Sequence, residues 1–298
     1  MVPSFPSDYT AAPKGFCMIN TVKYLLILIC CFVLPAGAVA GGSIMRVNDR
    51  QAVSFAQMMA DAQSTEVTMV AETHDDKKHH ELQLDIIRSF QTKKVPLAIG
   101  LEMFQTDYQK QLDEWIEGKI PEQHFKEVYA RNWSYDWSFY RELFIFARDN
   151  RIPMVALNVP KGIVLKVARK GFGSLTPEER RNIPSGVTCD INKPQTEFLK
   201  KTFEGVFGHE AKGQLFTYFC EAQAVRNSGM AMVIADYRKR YPGRKLVAIA
   251  GTWHAVKHGI PERFPDSSNV SYRVLQPEIS ELGTRNITSD IADYLIVW

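Results

Sequence analysis

Apolar residues fall into short runs separated by longer amphipathic stretches, and several of the runs end on a polar residue. The runs VTMVAE (67–72), PLAIGLEMF (96–104), IPMVALNV (152–159) and KLVAIAGTWH (245–254) show no clean alternation of apolar and polar positions. That is the pattern of strands covered on both faces in a parallel sheet. Two further runs, VSYRVLQP (270–277) and DYLIVW (293–298), read as additional strands. Helical stretches are predicted over about 79–92, 106–117, 121–130, 136–149 and 161–170. This order predicts an α/β fold, a mostly parallel sheet flanked by helices.

Between about 160 and 240 no strong strand pattern occurs. SLTPEERRNIP has Thr176 placed to cap a helix with Pro177 at its first position. The run 214–243 ends in a basic turn followed by Pro242-Gly243, a helix stop. We therefore expect a smaller all-helical subdomain, about 161–240, inserted in an α/β core of about 50–160 and 241–298.

The N-terminus changes that picture. Lys23 precedes an apolar run from Tyr24 to Leu34, followed by Pro35 and Ala38-Val39-Ala40. The run is too short to span a bilayer comfortably. Together these features predict residues 1–40 as a signal peptide and upstream residues, 41–298 as the domain, and an exported chain in the periplasm or at the envelope. Lipid or membrane anchoring is the alternative; Cys30 follows Ile29, where a lipoprotein site needs a small residue. Export would leave Cys189 and Cys220, enough for one bridge but not for a disulfide framework. The net charge of +3 over 298 residues offers no concentrated basic face and excludes nucleic acid as a natural partner.

The chemistry-bearing residues sit at strand ends. His74 follows the first long run, Glu102 lies near the end of the second, Asn158 near the end of the third, and His254 ends the fourth. Ligands of open parallel sheets bind beyond the carboxyl ends of the strands, so these four converge on one edge. Glu102, between Leu101 and Met103, must be paired, protonated or bound to something. His74 with Asp75 and Asp76 also reads as the cap of the next helix, and Asn158 as turn chemistry before Pro160. His79 and His80 read as a solvated helix face. His254 and His258 form H-x-x-x-H, which shares a face if a helix starts at once, but the glutamate of a metalloprotease H-E-x-x-H is missing. In the helical region, His209, Lys212, Phe216, Tyr218 and Phe219 offer axial-ligand, rim and slot chemistry for haem, although aromatics at such spacing are more often core.

Five segments in order, AETHDDKKHHELQLDII, AIGLEMFQTDYQKQLDEWIEG, NWSYDWSFYRELFIFARDNRIPMVALNVP, EAQAVRNSGMA and VAIAGTWHAVKHGIPERF, resemble the ChaN-like haem-binding uptake proteins of the Tiki superfamily. The likeness runs from about residue 50 to 275. It implies haem as the cofactor, an axial tyrosine matching Tyr218 and a propionate-side histidine matching His209, with Tyr129, Tyr135 and Tyr140 as rivals. It also implies a homodimer around haem, and an outer-membrane haem or iron receptor as partner. The superfamily contains metal-dependent hydrolases with paired G-x-x-H motifs. GTWH (251–254) keeps that pattern, whereas AETH (71–74) has Ala71 for the glycine. On that alternative, Glu72, His74, Glu102 and His254 would hold a divalent metal, with Asn158 and His258 elsewhere in the pocket.

Overall fold

The computed structural model describes residues 42–190, 196, 199–200, 203–204, 208, 213–265 and 269–298, all within one structural unit. The predicted signal segment and His209 lie outside the described residues.

The six predicted strands form within two or three residues of their expected bounds, as β3 (Val67–Glu72), β4 (Leu97–Gln105), β5 (Met154–Asn158), β6 (Lys245–Gly251), β7 (Tyr272–Pro277) and β8 (Tyr294–Val297). An unpredicted hairpin, β1 (Ser43–Arg46) and β2 (Gln51–Val53), precedes them. The sheet order is β2-β1-β8-β7-β3-β6-β4-β5. Strands β3 to β8 run parallel, and β1 pairs antiparallel with both β2 and β8. The sheet is thus mostly parallel with an antiparallel edge. At the opposite edge Gln109 blunts β5: its Nε2 donates to the Met154 carbonyl and its Oε1 accepts from the Ala156 N–H, both at 2.8 Å.

Five helices, α1 (Phe55–Ser64), α2 (Lys77–Thr92), α3 (Gln109–Ile116), α4 (Glu122–Asn132) and α5 (Trp137–Asp149), pack into one core cluster. Helix α6 (Lys161–Lys170) follows β5, and the long α7 (Gln214–Arg240) precedes β6. Side chains alternate across each strand. On β6, Val247 and Ile249 join the first cluster, while Leu246, Ala248 and Ala250 meet Met230, Ala231 and Ile234 of α7 in a second. One turn further toward the N-terminus, Ala222 and Val225 pack on Ile163 and Val167 of α6. Helix α7 therefore has no single apolar stripe, because different stretches of it are buried by different neighbours. Thr176 does cap, exchanging hydrogen bonds with Glu179, but only a 3-10 turn, Glu179–Asn182, follows. Cys189 and Cys220 form a disulfide, tying the loop before the undescribed stretch to α7. Among the described residues no helix is long and apolar enough to cross a membrane.

Candidate functional site

Strand β3 ends on Glu72, only 2% exposed. A buried carboxylate must be hydrogen-bonded, and this one has a full set of donors. Tyr140 of α5 donates to Oε1 at 2.5 Å, His74 Nδ1 lies 2.7 Å from the same oxygen, and Gln83 of α2 donates to Oε2 at 2.6 Å. Burial and the adjacent carboxylate push the Tyr140 hydroxyl far above its ordinary value, so it acts only as a donor. The His74 ring lies edge-on to Trp133 and tilted against Tyr135, both at 4.8 Å. Burial works against its protonation, but the Glu72 hydrogen bond and the charges of Glu102 and Glu72 outweigh it and raise the His74 pKa.

The next helix is capped by Asp76, whose side chain accepts from the Lys78 N–H at 2.9 Å, which leaves His74 free of that duty. His79 and His80 are not a solvated face. His79 Nδ1 accepts from the Thr73 N–H at 2.8 Å and its ring stacks on Trp298. His80 lies 3.1 Å from the His74 carbonyl and packs on Tyr140. Both histidines occupy the same buried side of α2 as Leu82, Gln83, Ile86 and Ile87, and burial lowers the pKa of His79.

Glu102 is equally buried, at 2%. The β4–β5 ladder slips after Leu101, and Asn158 Nδ2 takes over by donating to the Glu102 carbonyl at 2.9 Å. Asn158 is therefore part of the site and not merely turn chemistry. The Glu102 carboxylate pairs with Arg226 of α7 and accepts the Gly251 N–H at 2.6 Å. His254 Nε2 stands 3.6 Å from it, and His254 Nδ1 lies 2.5 Å from Asn227 Oδ1. Burial opposes ionisation of Glu102, but His254, Arg226 and His74, with the Gly251 N–H, hold its pKa down at about 2. Burial, reinforced by Arg226, pushes His254 down to about 3 against the attraction of Glu102.

Gly251 joins the two halves. A Cβ there would lie 2.7 Å from His74 Cε1 and 3.5 Å from Glu102 Oε2. The first glycine of GTWH is thus required by the close approach of the His74 ring. Ala71 needs no such clearance, since it packs into the α7-side core.

The structure therefore brings Glu72, His74, Glu102, Asn158 and His254 to one edge. It leaves His258 out: only Thr252–Ala255 is helical, the chain turns, and His258 faces Asp290 at 3.2 Å. The metal expectation for the four-residue set finds no support in the geometry. Among the described residues no group of three or more His, Cys, Asp or Glu is arranged to hold an ion. Arg226 stands where a cation would neutralise Glu102, and Tyr140 and Gln83 already satisfy Glu72. Tyr218 sits apart on α7, its ring against Gly171 and its hydroxyl accepting from Gln214 at 2.6 Å. Of its rivals, Tyr140 and Tyr129 are buried with their hydroxyls donating to Glu72 and the Tyr135 carbonyl, and Tyr135 is 37% exposed.

Arg226, Gln83 and Asn227 were not foreseen, and Tyr140 was expected only as a rival haem ligand. Beside the cluster, α6, α7 and the strand ends enclose a cleft of about 380 Å³, within the usual size range of ligand pockets. Asn158 and Arg226 reach it from the cluster, and Val164, Leu165, Ala168 and Phe219 give it apolar walls. Among the described residues Arg131, Lys161 and Arg226 line it, and no Asp or Glu does.

The family described as haem-binding uptake, Tiki superfamily, ChaN, matches residues 58–264, more than half of the chain. This chain belongs to that ChaN family. The structure of ChaN of Campylobacter jejuni with cofacial haem has the same fold, with a TM-score of 0.70 at 18% identity, covering 86% of this chain and 96% of that one. The protein RETICULATA-RELATED 5 of Arabidopsis thaliana, described as chloroplastic, is 28% identical over 114 residues. That match takes in 37% of this chain and spans only 15% of the plant protein's length. The cleft of this ChaN-family chain suits the family's ligand. Apolar walls match a porphyrin disc, and Arg131 and Lys161, with Arg226 shared with Glu102, offer cationic groups for its two carboxylates. When bound, haem supplies an iron that a protein oxygen or nitrogen can ligate; the residues of the cleft supply burial and charge.

Proposed function

We propose that this chain binds haem in the cleft between α6, α7 and the carboxyl ends of β4 and β5. The observation that carries the reading is an apolar-walled cleft, lined among the described residues by cations and by no acid, in a chain of a haem-binding family. Tyr218 enters this proposal as the axial ligand on the family resemblance; its ring lies against Gly171 and it is not among the residues that line the cleft, so its role is tested separately. Titration of the purified protein with hemin is expected to give a saturable Soret shift. Tyr218→Phe is expected to change the visible bands of the bound form more than the affinity. A flat titration sinks the reading. Unchanged bands in Tyr218→Phe move the ligand role to Tyr135 or elsewhere.

The proposal includes an uptake setting outside the cytoplasm, supported by Lys23, the apolar run and Ala38-Val39-Ala40. In it a haem-bridged homodimer passes haem from an outer-membrane receptor. Fractionation with N-terminal sequencing of the chain tests export, and a mature start other than Gly41 counts against this cleavage site. Light scattering with and without hemin tests the dimer.

A second reading, a hydrolase, is favoured by one observation. His74 is held by Glu72 through Nδ1, which leaves Nε2 as a base. Activated ester hydrolysis that rises as His74 deprotonates and vanishes in His74→Ala supports it. Turnover unchanged in that variant removes it.

A further inference from the structure

Arg226 does more than neutralise Glu102. A guanidinium serving only its buried partner would be sealed with it, yet this side chain keeps 17% of its surface and lines the cleft. Its five N–H groups form a rigid fork. Nη2 donates to Glu102, Nε points at Asn158 Oδ1 at 3.4 Å, and Nη1 reaches Gln223 Oε1 only at 3.5 Å, the limit of a hydrogen bond. Among the described residues this leaves donors on Nη1 and Nη2 uncommitted. Glu102 and Asn158 fix the orientation of the fork, and both are themselves anchored, Glu102 by the Gly251 N–H and Asn158 on the Glu102 carbonyl.

We propose that Arg226 is the carboxylate receptor of the cleft and that Glu102 and Asn158 are its positioning residues. The strand-end cluster then serves to present a pre-oriented cation to a planar, carboxylate-bearing macrocycle. This rests on the haem reading and adds to it which chemical group of the ligand is recognised, and by what. A carboxylate meeting a fork already held in place forfeits little side-chain entropy on binding, and bidentate Arg–carboxylate pairs are among the stronger hydrogen-bonded contacts. Lys161 and Arg131 share the cleft and serve a second carboxylate as point charge and fork respectively.

Three probes separate the contributions: hemin, hemin dimethyl ester with both carboxylates masked, and metal-free protoporphyrin IX. Each is titrated into the full chain and followed by absorbance and by quenching of tryptophan, Trp133 being in the cleft wall. The wild type is expected to bind hemin at least tenfold tighter than the ester, and to retain protoporphyrin IX. Arg226→Gln is expected to weaken hemin by tenfold or more and to erase the acid–ester difference, with Arg226→Lys intermediate. Equal affinity of the wild type for hemin and ester overturns the proposal while leaving haem binding intact. So does an Arg226→Gln protein that keeps the acid–ester ratio. Absence of hemin binding overturns the haem reading and this inference together. Because Arg226→Gln leaves Glu102 unpaired and threatens folding, the wild-type comparison is decisive by itself. Lys161→Gln, on the cleft surface, is expected to lose two- to fivefold on hemin and nothing on the ester.

Discussion

Glu72 and Glu102 end or nearly end neighbouring parts of the same sheet, are equally buried, and are held in opposite ways. Glu72 is satisfied by a buried phenol, a buried amide and an imidazole whose side chain keeps 23% of its surface. Glu102 is satisfied by a guanidinium that also opens onto a cleft, and by one backbone N–H. A carboxylate held by donors from three separate segments, here the β3 end, α2 and α5, ties those segments together. One paired with a cation at a cleft wall can share that cation with a ligand. On the haem proposal, the same residue type at the same sheet edge supports structure on one side and recognition on the other.

The largest expected effect separates the two directly. Glu72→Gln turns an acceptor-only group into one whose amide N–H faces other donors, leaving buried partners unmatched. A loss of about 3 to 5 kcal/mol in denaturant unfolding is expected, as for a broken buried polar network. Glu102→Gln leaves Arg226 without its counter-charge, but water in the cleft can solvate it, so about 1 to 2 kcal/mol is expected. Equal losses, or a larger one at Glu102, would show that the cleft does not relieve Arg226.

Acid comes next, and it acts mainly on the Glu102 half. Folded His254 takes up its proton only near pH 3, whereas the unfolded chain takes it up near 6.5. The unfolded state therefore binds the extra proton as pH falls from 6.5 toward 3, and stability is lost across that window. Glu102 adds a loss between 4.5 and about 2, where the unfolded carboxyl protonates first. His74 opposes both, because its raised pKa contributes stability below 6.5 that fades as pH rises through its folded value. A net fall of about 2 to 3 kcal/mol from pH 6.5 to 4 is expected. His254→Asn is expected to flatten that slope. A variant with the wild-type slope would place the acid-sensitive group elsewhere.

Gly251 tests the contact between the halves. In Gly251→Ala the new methyl meets the His74 ring at a distance that real side chains do not tolerate, so the ring must move off Glu72. About 1 to 2 kcal/mol is expected, with the His74 pKa, read by NMR titration, falling toward its ordinary value. Gly100→Ala is the comparison, since the nearest atoms to its Cβ belong to the Leu157 side chain, at 2.9 to 3.3 Å, and not to the cluster.

The fold was largely readable in the sequence because doubly covered strands and capped helices leave strong local patterns. Hairpin β1–β2 was not, its strands of four and three residues being too short for any period to register. The cluster was half readable. Glu72, His74, Glu102, Asn158 and His254 stood out as polar residues closing apolar runs. Arg226 lies 124 residues from Glu102 on a helix whose buried side changes partner along its length, so no periodicity marked it. An arginine set among Ala222, Ala224, Val225 and Gly229 was the available signal. His79 and His80 misled for the converse reason: the local composition KKHHE is polar, but both fall in helical phase with Leu82, Ile86 and Ile87.

The smallest expected effect asks what the aromatic rings over His74 contribute. Tyr135 is 37% exposed and only tilted against the imidazole, so Tyr135→Ala should cost less than about 1 kcal/mol. The informative readout is the His74 pKa. Burial is the largest influence holding that pKa down, so if the Tyr135 ring acts as a shield, removing it admits water and the pKa rises further. If the ring instead attracts the imidazolium through its π face, removing it withdraws support from the charged form and the pKa falls. A rise is expected, because the tilted contact does not place the imidazole flat on the ring face. It would make the aromatic cover part of what limits water at His74, while Arg226, on the other half, lines the cleft.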